Sequence, residues 1–269
     1  MKEILRLYLV SDSTGETVTN VARSALAHFD DLKTEEHLWA LVRTKGQIDK
    51  LAGELQKNNG VVMYTLVNDE LEEYLRETCV RLKILAIPVL KETVTTLSSY
   101  LGIKTINKPG RQHVMNEEYF SRINAINYAL SHDDGQANFD IKDADIILVG
   151  PSRTSKSPTA MYLAYKGYKA ANIPFVVGQK FPEINEGPMV IGLIINPDVL
   201  IEIRKNRILN LNDINNSNYI DFEKVQFEIR EAKKFFQNKN WPIIDVTRKS
   251  VEETVANIIK LYDQRKLKV

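Results

Sequence analysis

The stretch ADIILVGPSRTSKSPTAMYLAYKGYKAANIPFVV, residues 144–177, decides the fold of this chain. A short apolar run ends at Gly150, a turn of small and hydroxylated residues follows, then an amphipathic stretch, then a second apolar run. Short apolar runs bounded by turn signals read as buried strands, and strand, helix, returning strand is the repeating unit of a parallel α/β sheet. The turn itself comes within one residue of the pattern G-x-x-x-x-G-K-[ST]. Gly150, Lys156 and Ser157 fit it, and Ser155 stands where the second glycine is asked for.

Such a loop binds phosphate through its setting: a strand ends, successive N–H groups converge, and a helix begins with its positive end toward the anion. Here Ser157 is the candidate N-cap, with Pro158 at the first helical position. Lys156 can reach phosphate oxygens as a point charge, Arg153 adds a second cation, and the Ser157 hydroxyl can ligate magnesium. If Ser155 adopts a positive φ, serine costs about 1 kcal/mol relative to glycine. The plainer alternative is a Ser/Thr-rich turn with a solvated lysine.

Working outward, the chain has 269 residues, 43% hydrophobic and 26% charged, with a formal charge of +1. That balance belongs to an ordinary globular protein and shows no charge field for nucleic acid. No run approaches the roughly 18 apolar residues of a membrane span, and the start is too short for a signal-peptide core. The sequence therefore implies a cytoplasmic protein with no membrane partner. Cys79 is the single cysteine and shares a helical face with Leu75 and Leu82, which suits a buried structural thiol. The four histidines have no metal-ligand spacing.

Apolar runs alternate with amphipathic stretches from end to end, so the class is α/β. The strands are expected at ILRLYLV, HLWALV, GVVMYTLV, KILAIPVL, ADIILVG, IPFVV, VIGLII and PIIDV. Helical spacing puts Val18, Val21, Ala22, Ala25, Leu26 and Phe29 on one stripe, and Val225, Phe227, Ile229, Ala232, Phe235 and Phe236 on a broad face. Pro109-Gly110 breaks the periodicity. The expected architecture is two Rossmann-like βα domains, residues 1–108 and 109–269, the second carrying a P-loop kinase-like phosphate-binding loop. No internal repeat stands out.

Ser250-x-x-Glu253 is a capping box for the last helix. Ser13-x-x-Glu16 has the same spacing, but it lies in SDSTGET, directly after the first strand, where open α/β sheets bind ligands. Asp12 in that loop is a candidate for a functional role; the alternative is a capped turn. Lys169, after the helix that follows the phosphate loop, is placed on the same rim as the loop, against the usual outcome of a solvated lysine.

These segments, with PGRQH, MNEEYFSRINAINYALSHDDG and WPIIDVTRKSVEET, occur in an order that resembles the regulatory proteins of pyruvate, phosphate dikinase and phosphoenolpyruvate synthase. The resemblance spans nearly the whole chain. It implies a bifunctional enzyme: a serine/threonine kinase that phosphorylates a threonine of its target dikinase with ADP, and a phosphorylase that removes the phosphate with inorganic phosphate, releasing pyrophosphate. It assigns Gly150, Pro151, Ser152, Arg153, Thr154, Ser155, Lys156 and Ser157 to the nucleotide phosphates, and it implies a homodimer. In that family, too, serine replaces the second glycine. The family usually has valine where this chain has Pro151, which removes one N–H from the cradle, and often threonine where it has Ser157.

On this resemblance Lys156, Arg153 and Lys169 would stabilise charge on the transferred group, and Ser157 would sit on Mg2+. Asp12 or Asp133 would accept the hydroxyl proton or anchor the metal, with His113 and His132 as weaker alternatives. Similarity leans toward pyruvate, phosphate dikinase as protein partner rather than phosphoenolpyruvate synthase. Two other classes stay open: an ATP-dependent small-molecule kinase, and a nucleotide-sensing module with no turnover.

Overall fold

The computed structural model describes residues 4–106, 110, 117–133, 141–184, 187–211 and 219–267. The chain divides into two compact units, Met1–Val114 and Met115–Val269. Each contains one four-stranded parallel sheet.

The first unit runs β1 (Leu5–Ser11), α1 (Glu16–Leu26), β2 (Thr34–Trp39), α2 (Lys45–Lys57), β3 (Val61–Thr65), α3 (Asp69–Arg81), β4 (Leu85–Pro88) and α4 (Lys91–Leu101). Its strand order is β2-β1-β3-β4. As the central strand, β1 is covered on both faces, which is why LRLYLV is nearly all apolar rather than alternating. Leu7 and Leu9 pack with Val18 and Ala22 of α1. Tyr8 and Val10 face the other way, onto Ile48, Leu51 and Leu55 of α2 and Leu75 and Cys79 of α3. Burial pushes the Cys79 thiol up to about 11.

Two expectations shift here. HLWALV does not form a strand to its end, because Leu41 turns to φ +56° and the chain then bonds back to the loop after β1. The α1 stripe stops at Leu26, leaving Phe29 exposed.

The second unit runs α5 (Glu117–Ser131), a 3-10 turn (Ile141–Asp143), β5 (Ile146–Gly150), α6 (Lys156–Tyr165), β6 (Ala170–Pro174), β7 (Met189–Ile194), α7 (Pro197–Leu211), α8 (Phe222–Asn238), β8 (Ile243–Asp245) and α9 (Val251–Lys266). Its order is β6-β5-β7-β8. All of β5 is buried: Ile146 and Leu148 meet Leu163 of α6 and Ile258 of α9, while Ile147 and Val149 meet Ala171, Ile173 and Phe236. The core face of α8 is narrower than the sequence implies. Val225, Ile229, Ala232 and Phe236 are buried, and Phe227 is exposed. Ser250 and Glu253 do form a capping box on α9, a contribution of about 1 kcal/mol.

In both units the first strand is central, the second lies on one side of it and the third on the other. That reversal creates a crevice at the carboxyl end of the first strand. The loops after β1 and β5 emerge there.

Candidate phosphate-binding site

The loop after β5 begins at Gly150, where space excludes a side chain. A Cβ there would lie 2.6 Å from the Leu193 carbonyl oxygen and 2.7 Å from Thr154 Oγ1. The Phe175 N–H donates to the Gly150 carbonyl at 2.9 Å, pinning the strand end to the neighbouring chain. Two residues then adopt left-handed backbone, Arg153 at φ +75° and Ser155 at φ +60°, on either side of the fully buried Thr154. Left-handed residues in such a turn are the backbone setting in which successive N–H groups can converge on an anion.

Ser155 is therefore the residue that turns the chain into α6, and the helix starts at Lys156. This corrects the expected cap: Ser157 and Pro158 are the second and third helical residues. Proline is tolerated at the third position because the first-turn N–H groups have no partner within the helix.

Lys156 is 5% exposed and donates from Nζ to the Pro151 carbonyl at 3.0 Å; Thr154 Oγ1 donates to the same oxygen at 2.9 Å. The loop is thus closed on its own carbonyl with the ammonium folded over it. Arg153 Nε is buried with no hydrogen-bond partner among the described residues. An incoming phosphate would give these cations the charge-assisted partners that are stronger than a neutral carbonyl.

The loop is braced from beneath by residues that the sequence reading missed. Arg204 of α7, 2% exposed, donates to the Ser152 carbonyl at 3.1 Å and to the Tyr219 carbonyl at 3.2 Å. It pairs with Glu228 at 2.9 Å and stacks on the Tyr219 ring at 4.3 Å. The Tyr219 hydroxyl lies 3.0 Å from Ser152 Oγ. In the sequence Arg204 sits among Lys205 and Arg207 on a basic helix, and nothing local separates it from its solvated neighbours.

On the other side, Asn172 of β6 donates from Nδ2 to Ser157 Oγ at 3.3 Å and to the Asp133 carboxylate. The structure therefore brings Asp133 and Ser157 together. His132 contacts its own helix: Nδ1 lies 2.8 Å from the Tyr128 carbonyl and the ring stacks on Tyr128 at 3.9 Å. His113 lies outside the described residues. Beside β6 opens a cleft of about 570 Å³ whose wall includes His132, Asn172, Phe175 and Lys234.

Lys169 does not share the rim. Ala170 pairs with Ile146 and Pro174 with Gly150. Lys169 therefore stands at the amino end of β6, roughly 16 Å of strand from the loop. Its N–H donates to Asp145 and its ammonium lies 5.9 Å from the centre of the Tyr128 ring.

In the first unit, Asp12 is 2% exposed and its carboxylate accepts the Val67 N–H at 2.7 Å, joining the loops after β1 and β3. The Ser13/Glu16 capping box does not form: Gly15, at φ +81°, precedes α1 with no side-chain cap. A cavity of about 420 Å³ lies at this crevice, lined by Ser11, Asp12, Thr17, Glu72 and Lys91 among others.

The sequence profile of a family described as Kinase/pyrophosphorylase matches residues 7–259. The chain belongs to this family. A kinase/pyrophosphorylase is a phosphotransferase, and a loop with two left-handed residues and a folded-back lysine suits that chemistry. Similar proteins carry the name "Putative pyruvate, phosphate dikinase regulatory protein". One from Anaplasma phagocytophilum is 45% identical, covering 100% of this chain and 97% of its own. One from Wolbachia of Brugia malayi is 48% identical over 97% and 98%. One from Caulobacter vibrioides is 45% identical over 98% and 84%. The alignment of the kinase/pyrophosphorylase family thus takes in both units. No described helix is long and apolar enough to cross a membrane.

Proposed function

We propose that this chain phosphorylates a threonine of pyruvate, phosphate dikinase with ADP as donor, and removes that phosphate with inorganic phosphate, releasing pyrophosphate. The observation that carries the reading is the loop after β5, with Arg153 and Ser155 left-handed and Lys156 folded over it. The family membership and the names of its relatives supply the protein substrate.

In the kinase direction the threonine oxygen bonds to the β-phosphorus of ADP, the bond from that phosphorus to the bridging oxygen breaks, and AMP leaves; the hydroxyl proton passes to a base. In the other direction a phosphate oxygen attacks the phosphothreonine phosphorus, the bond to the threonine oxygen breaks, and pyrophosphate leaves with the threonine reprotonated. Both are in-line transfers governed by positioning and charge. Lys156 and Arg153 bind and orient the donor phosphates, and the loop N–H groups hold the terminal group. Asp133 takes the proton, being the acid that Asn172 joins to the start of α6, whereas Asp12 belongs to the loop after β1.

Magnesium fits the residues present. Mg2+ takes oxygen ligands, with only one or two from protein and the rest from phosphates and water. Ser157 Oγ and the Asp133 carboxylate are two such oxygens, both within reach of the Asn172 amide. Bound there, the ion would neutralise charge on the phosphates. The reading also takes the chain as cytoplasmic, as the sequence implies, and as a homodimer, as the resemblance implies; sedimentation measures the latter.

The test is to incubate the chain with pyruvate, phosphate dikinase and ADP, following phosphothreonine, and then to add phosphate and follow pyrophosphate. Formation and removal of phosphothreonine are expected. No transfer to a folded, active dikinase would overturn the reading, and transfer to phosphoenolpyruvate synthase alone would redirect it.

A further inference from the structure

We propose that Asn172 is a positioning residue for phosphoryl transfer, setting the Asp133 carboxylate beside the Ser157 hydroxyl at the start of α6. This rests on the reading above. Asn172 is 1% exposed, on a strand whose neighbours Ala171 and Ile173 serve the apolar core. Packing alone would be met there by valine or leucine, and burying a carboxamide is unfavourable unless its groups are bonded.

The bonds it makes converge on the site. Its main-chain N–H donates to the His132 carbonyl at 3.2 Å, holding the end of α5 against β6. Its side-chain nitrogen donates to the carboxylate of the very next residue, Asp133, and to Ser157 Oγ at 3.3 Å. A carboxamide nitrogen carries two hydrogens, a carboxylate about four acceptor positions and a hydroxyl oxygen two. One amide can therefore fix both oxygens and leave each with acceptor capacity for a proton or a metal. Asn172 and His132, the residue before Asp133, also form part of the wall of the cleft beside β6. Without the amide, no hydrogen bond among the described residues ties Asp133 to the loop helix. Misplacement of about 1 Å is enough to cost on the order of 10²-fold in rate.

The test measures ADP-dependent transfer to the dikinase for wild type, Asn172→Ala, Asp133→Asn and the double variant, with ADP affinity measured separately by calorimetry. Asn172→Ala is expected to lower kcat by about 10²-fold while ADP affinity stays within about 3-fold. In the Asp133→Asn background the same change is expected to cost no more than about 3-fold, because residues acting through one another are not additive. A thermal melt of Asn172→Ala, expected to stay a single cooperative transition, guards against a folding defect. Losses that multiply in the double variant, or a loss confined to ADP affinity, would overturn the inference and make Asn172 a brace for the loop. A wild type that transfers nothing overturns the proposed function itself, and this inference with it.

Discussion

The two sheets share a strand order, yet the crevices at their switch points are chemically different. After β1 the chain enters the loop of Ser11, Asp12, Ser13, Thr14 and Gly15, whose one charged side chain is an acid already bonded to a backbone N–H. After β5 it enters a loop with two cations, two left-handed residues and a carbonyl that holds the lysine in place. Both helices that follow begin behind a left-handed residue, Gly15 in one and Ser155 in the other. Topology alone thus supplies a crevice and a helix start twice over. On the proposed function, what the loop carries decides which of them holds an anion.

The sharpest way to break this contrast is to neutralise one cation in each unit. Lys156→Met is expected to lower transfer from ADP by about 10²–10³-fold, the scale of losing one preorganised charge-stabilising group. Lys91→Met, at the first crevice, is expected to leave it within about 3-fold, since Lys91 there pairs with the buried Glu72 at 2.7 Å. Equal losses would mean that both crevices serve the reaction.

Next in size is the packing of the strand end. Gly150→Ala pushes a methyl against the Leu193 carbonyl and Thr154, and a loss of about 1–3 kcal/mol is expected in denaturant titrations. A smaller effect separates the two left-handed residues. Gly15→Ala should destabilise by about 1–2 kcal/mol, from left-handed strain and a contact with Leu38. Ser155→Gly should be neutral or stabilising by up to about 1 kcal/mol. A clear loss on Ser155→Gly would show that the serine hydroxyl itself holds the loop.

The smallest effect concerns pH. The Cys79 thiol, raised from 9.0 to about 11 by burial, contributes stability that is present in full below pH 9 and is lost as pH rises toward 11. Thermal melts of Cys79→Ala should decline less over that window than those of the wild type. Labelling of the folded chain by a thiol reagent at pH 8 should be slow, and rapid labelling would contradict the burial.

The sequence shows the strands and the loop because both are local signals. ILRLYLV and ADIILVG are apolar on both faces, and glycine, hydroxyls and lysine fall at fixed spacing. What it hides depends on register and backbone angle. Lys169 looks close to the loop along the chain, but parallel pairing of Ala170 with Ile146 puts it at the other end of the sheet. Ser157 looks like a cap, until the left-handed Ser155 starts the helix early. Arg204 and Asn172 reach the loop across 52 and 15 residues, and contacts of that range leave no periodic trace. Likewise the shared strand order has no counterpart in a visible sequence repeat.

The most direct measurement is a titration with ADP and magnesium followed by backbone amide resonances. The largest shifts are expected at Ser152, Arg153, Thr154, Ser155 and Lys156, with those of Ser13, Thr14 and Gly15 nearly still. Shifts concentrated at Ser13, Thr14 and Gly15, with the loop after β5 unmoved, would contradict the account.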